Sequence, residues 1–426
     1  MRTLLFVHNS TVGSPAMTRT TRVKLALLLG SLSAFGPLTI DMYLPALPGM
    51  ARSLRSDPGT IQLTLTVFVI GLAAGQLVIG PLSDALGRRR PLLAGTALYA
   101  ASSVCCALAP SAGWLIGART LQSFGAAAAI VLARAIVRDL FDGLAMTRFF
   151  STLMLVTGAA PVLAPVIGSQ LLAIASWRTV FVVLTGVGVV LFLAVLLALP
   201  ESLPASRRQP AGLASRLRTF ALLGHDAQYL RHVLAAALTF AAMFAYISGS
   251  SFVLQQAYGL SAARFSLAFA VNGLGLVGFG QLNRLLVGRV ATEHAMLVAG
   301  LLVGGIASLG VLLSTVLGAP LPVLLVCLFG EVSTVGIVLA NATSKALAAH
   351  GERAGAASSL QGLLQFLVGG LASAAMGLAG RGSPVGMGVT MFCCAGAALA
   401  VYLLVPARRS VAPEAVRPEP GSLAAA

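Results

Sequence analysis

TIQLTLTVFVIGLAAGQLVIGPLSDALGRRRP, residues 60–91, sets an unbroken apolar run of about twenty residues directly before a glycine turn and three arginines. Such a run is the length needed to cross the hydrocarbon core of a bilayer as a helix. The arginines behind it mark the side on which it stops.

Working outward, the same pattern recurs along all 426 residues. Twelve apolar runs are read at roughly 23–47, 60–80, 91–109, 112–133, 148–172, 179–199, 232–254, 263–283, 293–314, 319–341, 355–378 and 386–405. The chain is 58% hydrophobic and only 9% charged, and its mean hydropathy is +0.93. A soluble domain carries about 25% charged residues, so no water-facing globule can be built from this composition. Runs rich in Gly, Ala, Leu and Val without period-two alternation predict helices rather than a membrane β-barrel. The 46 glycines then read as close helix contacts. The expectation is an all-α integral membrane protein of twelve transmembrane helices.

The net charge of +16 is a matter of topology, since no soluble domain exists to present it to nucleic acid. With the N-terminus inside, 22 of the 28 Lys and Arg fall in the tails and even-numbered loops, 5 in odd-numbered loops, and Arg119 within a run. This bias, with an even helix count, predicts that both termini are cytoplasmic. The first 22 residues read as a cytoplasmic tail without a cleavage site, and Met17 is an alternative start. All five cysteines lie inside apolar runs with neither disulfide nor metal-ligand spacing, so no metal site is expected.

The longest interior break, Pro200 to Arg231, divides the runs six and six. The expected layout is a tail (1–22), a first six-helix bundle (23–203), a cytoplasmic linker (204–230), a second bundle (231–405) and a C-terminal tail (406–426). An internal echo supports two related bundles. Gly80-Pro-Leu-Ser-Asp84-Ala-Leu-Gly87-Arg88 after the second run is answered by Gly280-Gln-Leu-Asn283-Arg284-Leu-Leu-Val-Gly288-Arg289 after the eighth.

These motifs resemble a family. GPLSDALGRRRP at 80–91 resembles the loop signature of the major facilitator superfamily, and Arg119-Thr-Leu-Gln122-Ser-Phe-Gly125 resembles its helix 4 motif. TIDMYLPALP (39–48), ARAIVRDLF (133–141), APVLAPVIG (160–168) followed by Trp177-Arg178, PES (200–202) and YGLS (258–261) resemble the Bcr/CflA drug-resistance branch. The resemblance implies two six-helix bundles that rock about a central site. It also implies a proton-coupled exporter of small, mostly apolar antibiotics (chloramphenicol-, bicyclomycin- or sulfonamide-like) in the bacterial inner membrane.

Each motif also has a reading from its residues. Gly80, Asp84, Gly87, Arg88 and Arg89 fit a conformational latch in which Asp84 meets cationic side chains or a helix N-terminus. The arginines are equally read as topology determinants. Gly158, Pro161, Pro165 and Gly168 fall on the family's antiporter motif; by themselves they let a helix bend and pack closely.

Of the twelve acidic residues only Asp41 and Glu331 lie within apolar runs, and a charge is costly there. Asp41 and Arg119 fall at matching depths of about 9 and 10 Å from one side, so they are expected to pair. The resemblance puts both in proton relay; a static ion pair is the alternative. Glu331 is a second proton site, a contact for a cationic substrate, or a structural acid. Tyr43, Tyr246, Gln255, Asn272 and Gln361 are the candidate cavity lining, each otherwise an interhelical hydrogen-bonding group.

The expected partners are a small-molecule substrate, protons and the lipid bilayer, with a proton gradient in place of a cofactor and a monomer as the default. Export or symport of a native metabolite, and a non-transporting receptor, are the competing functions. No nucleophile with a base and no phosphate loop points to an enzyme.

Overall fold

The computed structural model describes residues 19–141, 143–208, 212–348, 350, 353–378 and 383–405. The C-terminal tail expected at 406–426, and all but the last four residues of the N-terminal one, fall outside the described residues. The described residues are helical and form no sheet.

In chain order the first half runs α1 (Arg19–Ser33), α2 (Phe35–Asp41), α3 (Leu47–Ser53), α4 (Pro58–Leu86), α5 (Arg89–Ala107), α6 (Ala112–Leu140), α7 (Gly143–Ile174) and α8 (Arg178–Ala198). A linker helix, α9 (Leu213–Gly224), leads to the second half. That half comprises α10 (Ala227–Phe252), α11 (Ala262–Leu286), α12 (Glu293–Val316), α13 (Leu321–Ala348), α14 (Ala354–Leu378) and α15 (Pro384–Leu404).

Side-chain caps set many helix starts. Asp57, Ser111, Asp226, Ser261, Thr292 and Ser383 each accept a hydrogen bond from a backbone N–H of the first turn of α4, α6, α10, α11, α12 and α15.

Among the described residues ten helices are long and apolar enough to cross a membrane, and the bent pair Val23–Ser33 with Phe35–Ser53 makes eleven. The first run is thus a correction: it is expected as one helix to residue 47, yet it bends by 42° after Ser33. Pro37 lacks the N–H that would bond the Ser33 carbonyl, and Pro45 and Pro48 fragment the stretch beyond Asp41. The third run, α5, is the one that falls short in apolarity. It starts on Arg89 and Arg90, and it spends Thr96, Tyr99, Ser102 and Ser103 on buried positions in the bundle, packed between α6 and α8.

Within the first half α4 and α5 lie along α6, α8 packs on α5, and α1 and α2 rest on α6 and α7. Within the second, α10 packs on α13, α14 and α15, while α12 joins α13 to α15 and α11 lies on α13. The halves meet where α4 lies along α14 and α7 along α11.

Small residues make these seams possible. A methyl group at Gly71 or Gly75 of α4 would press into Ser123 or Ala127 of α6, and one at Gly370 of α14 into Ile70 of α4. The echo noted in the sequence is visible as geometry: Gly87 ends α4 at φ 88° and Gly288 lies just beyond α11 at φ 78°, a region glycine enters freely.

One side of the protein carries α9; the opposite, far side is where the halves are stitched together. There Gln62 Nε2 donates to the Ser248 carbonyl (3.1 Å), Ser251 Oγ to the Leu44 carbonyl (2.6 Å) and Gln255 Nε2 to the Pro45 carbonyl (3.2 Å). Thr66 Oγ1 donates to Ser373 Oγ (3.0 Å).

Candidate transport site and charge networks

Three helices of the second half bring polar groups to one level. Asn272 stands ten residues into α11 and Glu331 ten residues into α13, and both helices start on the far side. At 1.5 Å per residue that is about 15 Å. Tyr246 lies eleven residues before Ala257, at about 16 Å from the same end. Asn272 Nδ2 donates to Tyr246 Oη (2.9 Å), and the Tyr246 ring stacks on Phe269 at 5.4 Å. Both Asp41, the last residue of α2, and Glu331 lie within electrostatic reach of the Tyr246 phenol. The site therefore straddles the seam between the halves.

Both carboxyls are buried, Asp41 at 4% and Glu331 at 2% exposure. Among the described residues neither forms an ion pair, and Glu331 Oε2 has no hydrogen-bond partner. A carboxyl without a counter-ion at membrane depth is a costly group.

The pair expected between Asp41 and Arg119 does not form. Arg119, fully buried, donates through Nη1 to Gln122 Oε1 (2.7 Å) and to the Thr39 carbonyl (3.3 Å). Its guanidinium lies over the rings of Phe68 (4.2 Å) and Tyr43 (4.4 Å), with Phe181 at 5.9 Å. Helix geometry explains the separation. Thr39 faces α5 and α6, bonding Tyr99 Oη at 2.5 Å, and Asp41, two residues on, projects about 200° away toward the second half. Arg119 is thus held by aromatic faces and two acceptors rather than by a carboxylate. Gln122 passes the network to Ser103 Oγ (2.7 Å), and Gly125 lets the Gly95 carbonyl and Tyr99 approach α6.

Of the five residues expected to line a cavity, the structure gathers only Tyr246 and Asn272 at the carboxyls. Tyr43 belongs to the Arg119 cage, its hydroxyl 3.4 Å from Thr64 Oγ1. Gln255 sits in the π-helical turn at Val253–Ala257 and closes the far-side seam. Gln361 donates to Thr343 Oγ1 (2.5 Å), near the opposite end of α13 and α14. Hydrogen-bond capacity is readable from a sequence, but helix face and depth decided these three.

The latch residues do assemble, on the side carrying α9. Arg88 joins Asp84 (2.6 Å), Asp139 (2.9 Å) and Ser83 Oγ (2.7 Å), and Asp84 also pairs with Arg216 of α9. Gly80 leaves room for the Arg216 guanidinium. The helix N-terminus that Asp84 was expected to address is taken by Glu201, which accepts from the backbone N–H of Arg88 (2.7 Å) and Arg89 (3.3 Å). Gly87 is needed there, since a Cβ would meet the Glu201 carboxylate. Arg89 itself donates to the Leu196 carbonyl at 2.8 Å. Asp139, Glu201 and Arg216 are the members missing from the sequence reading. The first two lie within ARAIVRDLF and PES, and Arg216 is one linker charge among several.

The Gly/Pro motif lies on α7, which stays helical through Pro161 and Pro165. Gly158 faces Val277 of α11, Gly273 of α11 faces Val162 beside Pro161, and Gly168 lies against the Met42 carbonyl at the end of α2. The motif builds the second seam between the halves.

Known proteins share this architecture. The model of the Major Facilitator Superfamily matches residues 28–374. An MFS-type transporter, YdgK, of Bacillus subtilis (strain 168) is 40% identical over 376 residues, 87% of this chain and 92% of the relative. A bicyclomycin resistance protein homolog of Haemophilus influenzae is 30% identical over 382 residues, covering 90% and 96%. Among solved structures, a bacterial homolog of the human lysosomal transporter Spinster in an inward-facing, unoccupied conformation superposes with a TM-score of 0.71 at 16% identity, covering 91% of this chain and 98% of that one. With this fold, these motifs and these relatives, the chain belongs to the major facilitator superfamily of membrane transporters, in its Bcr/CflA drug-resistance branch.

Proposed function

We propose that this chain is a proton-coupled exporter of small, mostly apolar antibiotics, working by alternating access in the bacterial inner membrane. The observation that carries the reading is the pair of buried carboxyls, Asp41 and Glu331, on opposite sides of the seam, each without a counter-ion. A carboxyl of this kind can take up and release a proton, and its position lets both halves feel the change.

In this reading residues 23–203 and 231–405 are the rocking bundles, 204–230 is the linker, and the side carrying α9 is cytoplasmic. The far-side hydrogen bonds close the outward path, and substrate enters from the cytoplasm. The positive-inside bias and the Haemophilus relative, a bicyclomycin resistance protein homolog, support export of that class of compound. Asp41 couples proton to substrate, Glu331 acts from the opposite wall, and the Asp84–Arg88–Arg216 network holds one conformation. One chain supplies both halves of the pathway, so it acts as a monomer.

The test is proton movement in inverted vesicles holding a pH gradient, on addition of chloramphenicol, bicyclomycin or sulfonamides. Dissipation by a drug in wild type and none in Asp41→Asn, with equal membrane insertion, is the expected result. Undiminished dissipation by Asp41→Asn would remove Asp41 from coupling; gradient build-up in its place would make the chain a symporter.

A further inference from the structure

The fourth apolar run stops at residue 133, but α6 continues to Leu140. Arg134 and Arg138, read as loop charges, therefore stand on the last turns of a membrane helix. Their direction is fixed by their neighbours. Gly75 of α4 packs on Ala127 and Gly36 of α2 on Ile130, and Arg134 lies seven and four positions beyond those two residues. It continues their ridge, between α4 and the first span, toward the opposite half. Arg138, four residues further, reaches that half: its Nη1 would lie 3.8 Å from a methyl group at Gly355, at the start of α14.

The Arg134 side chain is exposed although α4 and the first span flank its ridge and Arg138 on the next turn reaches the start of α14, which places it in a recess between the halves. Arg138 is exposed as well. Among the described residues neither arginine makes an ion pair or a hydrogen bond. Two like charges four residues apart on a helix repel each other, so the recess is electrostatically unfinished until an anion enters it. A cleft lined by one sign of charge also concentrates ligands of the other.

We propose that Arg134, with Arg138 beside it, forms a receiving site for the carboxylate or phosphate group of a small anionic molecule. The site lies about 22 Å along α6 from Arg119 and on the α9 side of both Asp41 and Glu331. The guanidinium fork matches the oxygens of either group. Enclosure by both halves favours a water-borne molecule over a lipid headgroup. This deepens the transport reading and rests on it: substrates carrying an anionic group gain a first stop on the cytoplasmic side.

The experiment compares binding of 1-naphthoate and its uncharged amide to the purified full chain in nanodiscs, with and without phosphatidylglycerol. Wild type is expected to prefer the carboxylate. Arg134→Ala should lose about tenfold for naphthoate and nothing for naphthamide, the size of one charge-assisted hydrogen bond. Arg134→Lys should keep most of the affinity, and unfolding temperatures verify that each variant is folded. Equal naphthoate affinity in wild type and Arg134→Ala overturns the site, as does no naphthoate binding by wild type. So does loss of co-purifying phosphatidylglycerol with naphthoate affinity intact, which would assign the arginines to lipid. Drug-driven proton flux alongside a failed naphthoate result sinks this site alone; Arg134-dependent naphthoate binding without flux from any compound sinks the transport reading alone.

Discussion

Among the described residues Arg119 is the largest fully buried side chain, and its charge is met by ring faces rather than by an acid. Lysine keeps the charge but loses both the planar stack and the fork that reaches Gln122 and Thr39 together. Arg119→Lys should therefore lower the stability of the purified protein by about 2 kcal/mol, the scale of a desolvated cation–π contact, seen as a lower unfolding temperature in detergent. An unchanged temperature would mean that the cage contributes nothing. At Asp57 the cause is a cap: the Thr60 hydroxyl and the backbone N–H groups of the first turn of α4 hold its carboxyl below the usual carboxylate range. A folded-state value below the unfolded one stabilises above the unfolded pKa of about 3.9 and fades as pH falls through the folded value. Asp57→Ala should thus cost about 1 kcal/mol near neutral pH and progressively less below about pH 4, in unfolding curves taken across that range. A constant difference would assign the effect to something other than charge. At this scale the sequence was legible where elimination sufficed: only two acids lie within the apolar runs, and both reach the seam. Which way Asp41 points was not legible, because one break at Pro37 decides the face it presents.

Apolar runs delimit helices well because lipid tolerates little else, and eleven of the twelve expected runs are continuous helices to within a few residues at most ends. The exceptions have identifiable causes. Prolines break the first run, and the fourth helix outlasts its apolar stretch because Ala133, Ala135, Ile136 and Val137 keep it packed while Arg134 and Arg138 face the recess. The same reasoning predicts unequal glycines. Gly168 of α7 lies against the Met42 carbonyl, where backbone has nowhere to give, whereas Gly186 of α8 has open space beside it. Gly168→Ala should destabilise by about 1–3 kcal/mol as α7 is pushed from α2. Gly186→Ala should be neutral or stabilising by up to about 1 kcal/mol through helix propensity. Unfolding temperatures of the two variants, measured side by side, test this; similar losses in both would show that helix contacts at the α7 motif are looser than described.

At the scale of the molecule, two six-helix halves were readable from the charged break at 200–231 and from the repeated Gly–Arg turn, whereas the faces on which the halves meet were not. Those faces are chosen by glycines and hydroxyls scattered among many equivalent ones. Only the fold reveals that Thr66 and Ser373, 307 positions apart, share a hydrogen bond. The contact tests whether the far-side seam opens during transport. With Cys105, Cys106, Cys327, Cys393 and Cys394 replaced by serine or alanine, the pair Thr66→Cys and Ser373→Cys places two thiols where hydroxyl oxygens lie 3.0 Å apart, a separation from which a disulfide forms with little backbone movement. Oxidation should then join α4 to α14, stop substrate-driven proton flux in inverted vesicles, and leave the fold intact; reductant should restore the flux. Each single-cysteine variant should run unchanged under the same oxidant. Full flux through a quantitatively cross-linked protein would mean that this seam stays shut throughout the cycle, and that substrate leaves by another route than separation of α4 from α14.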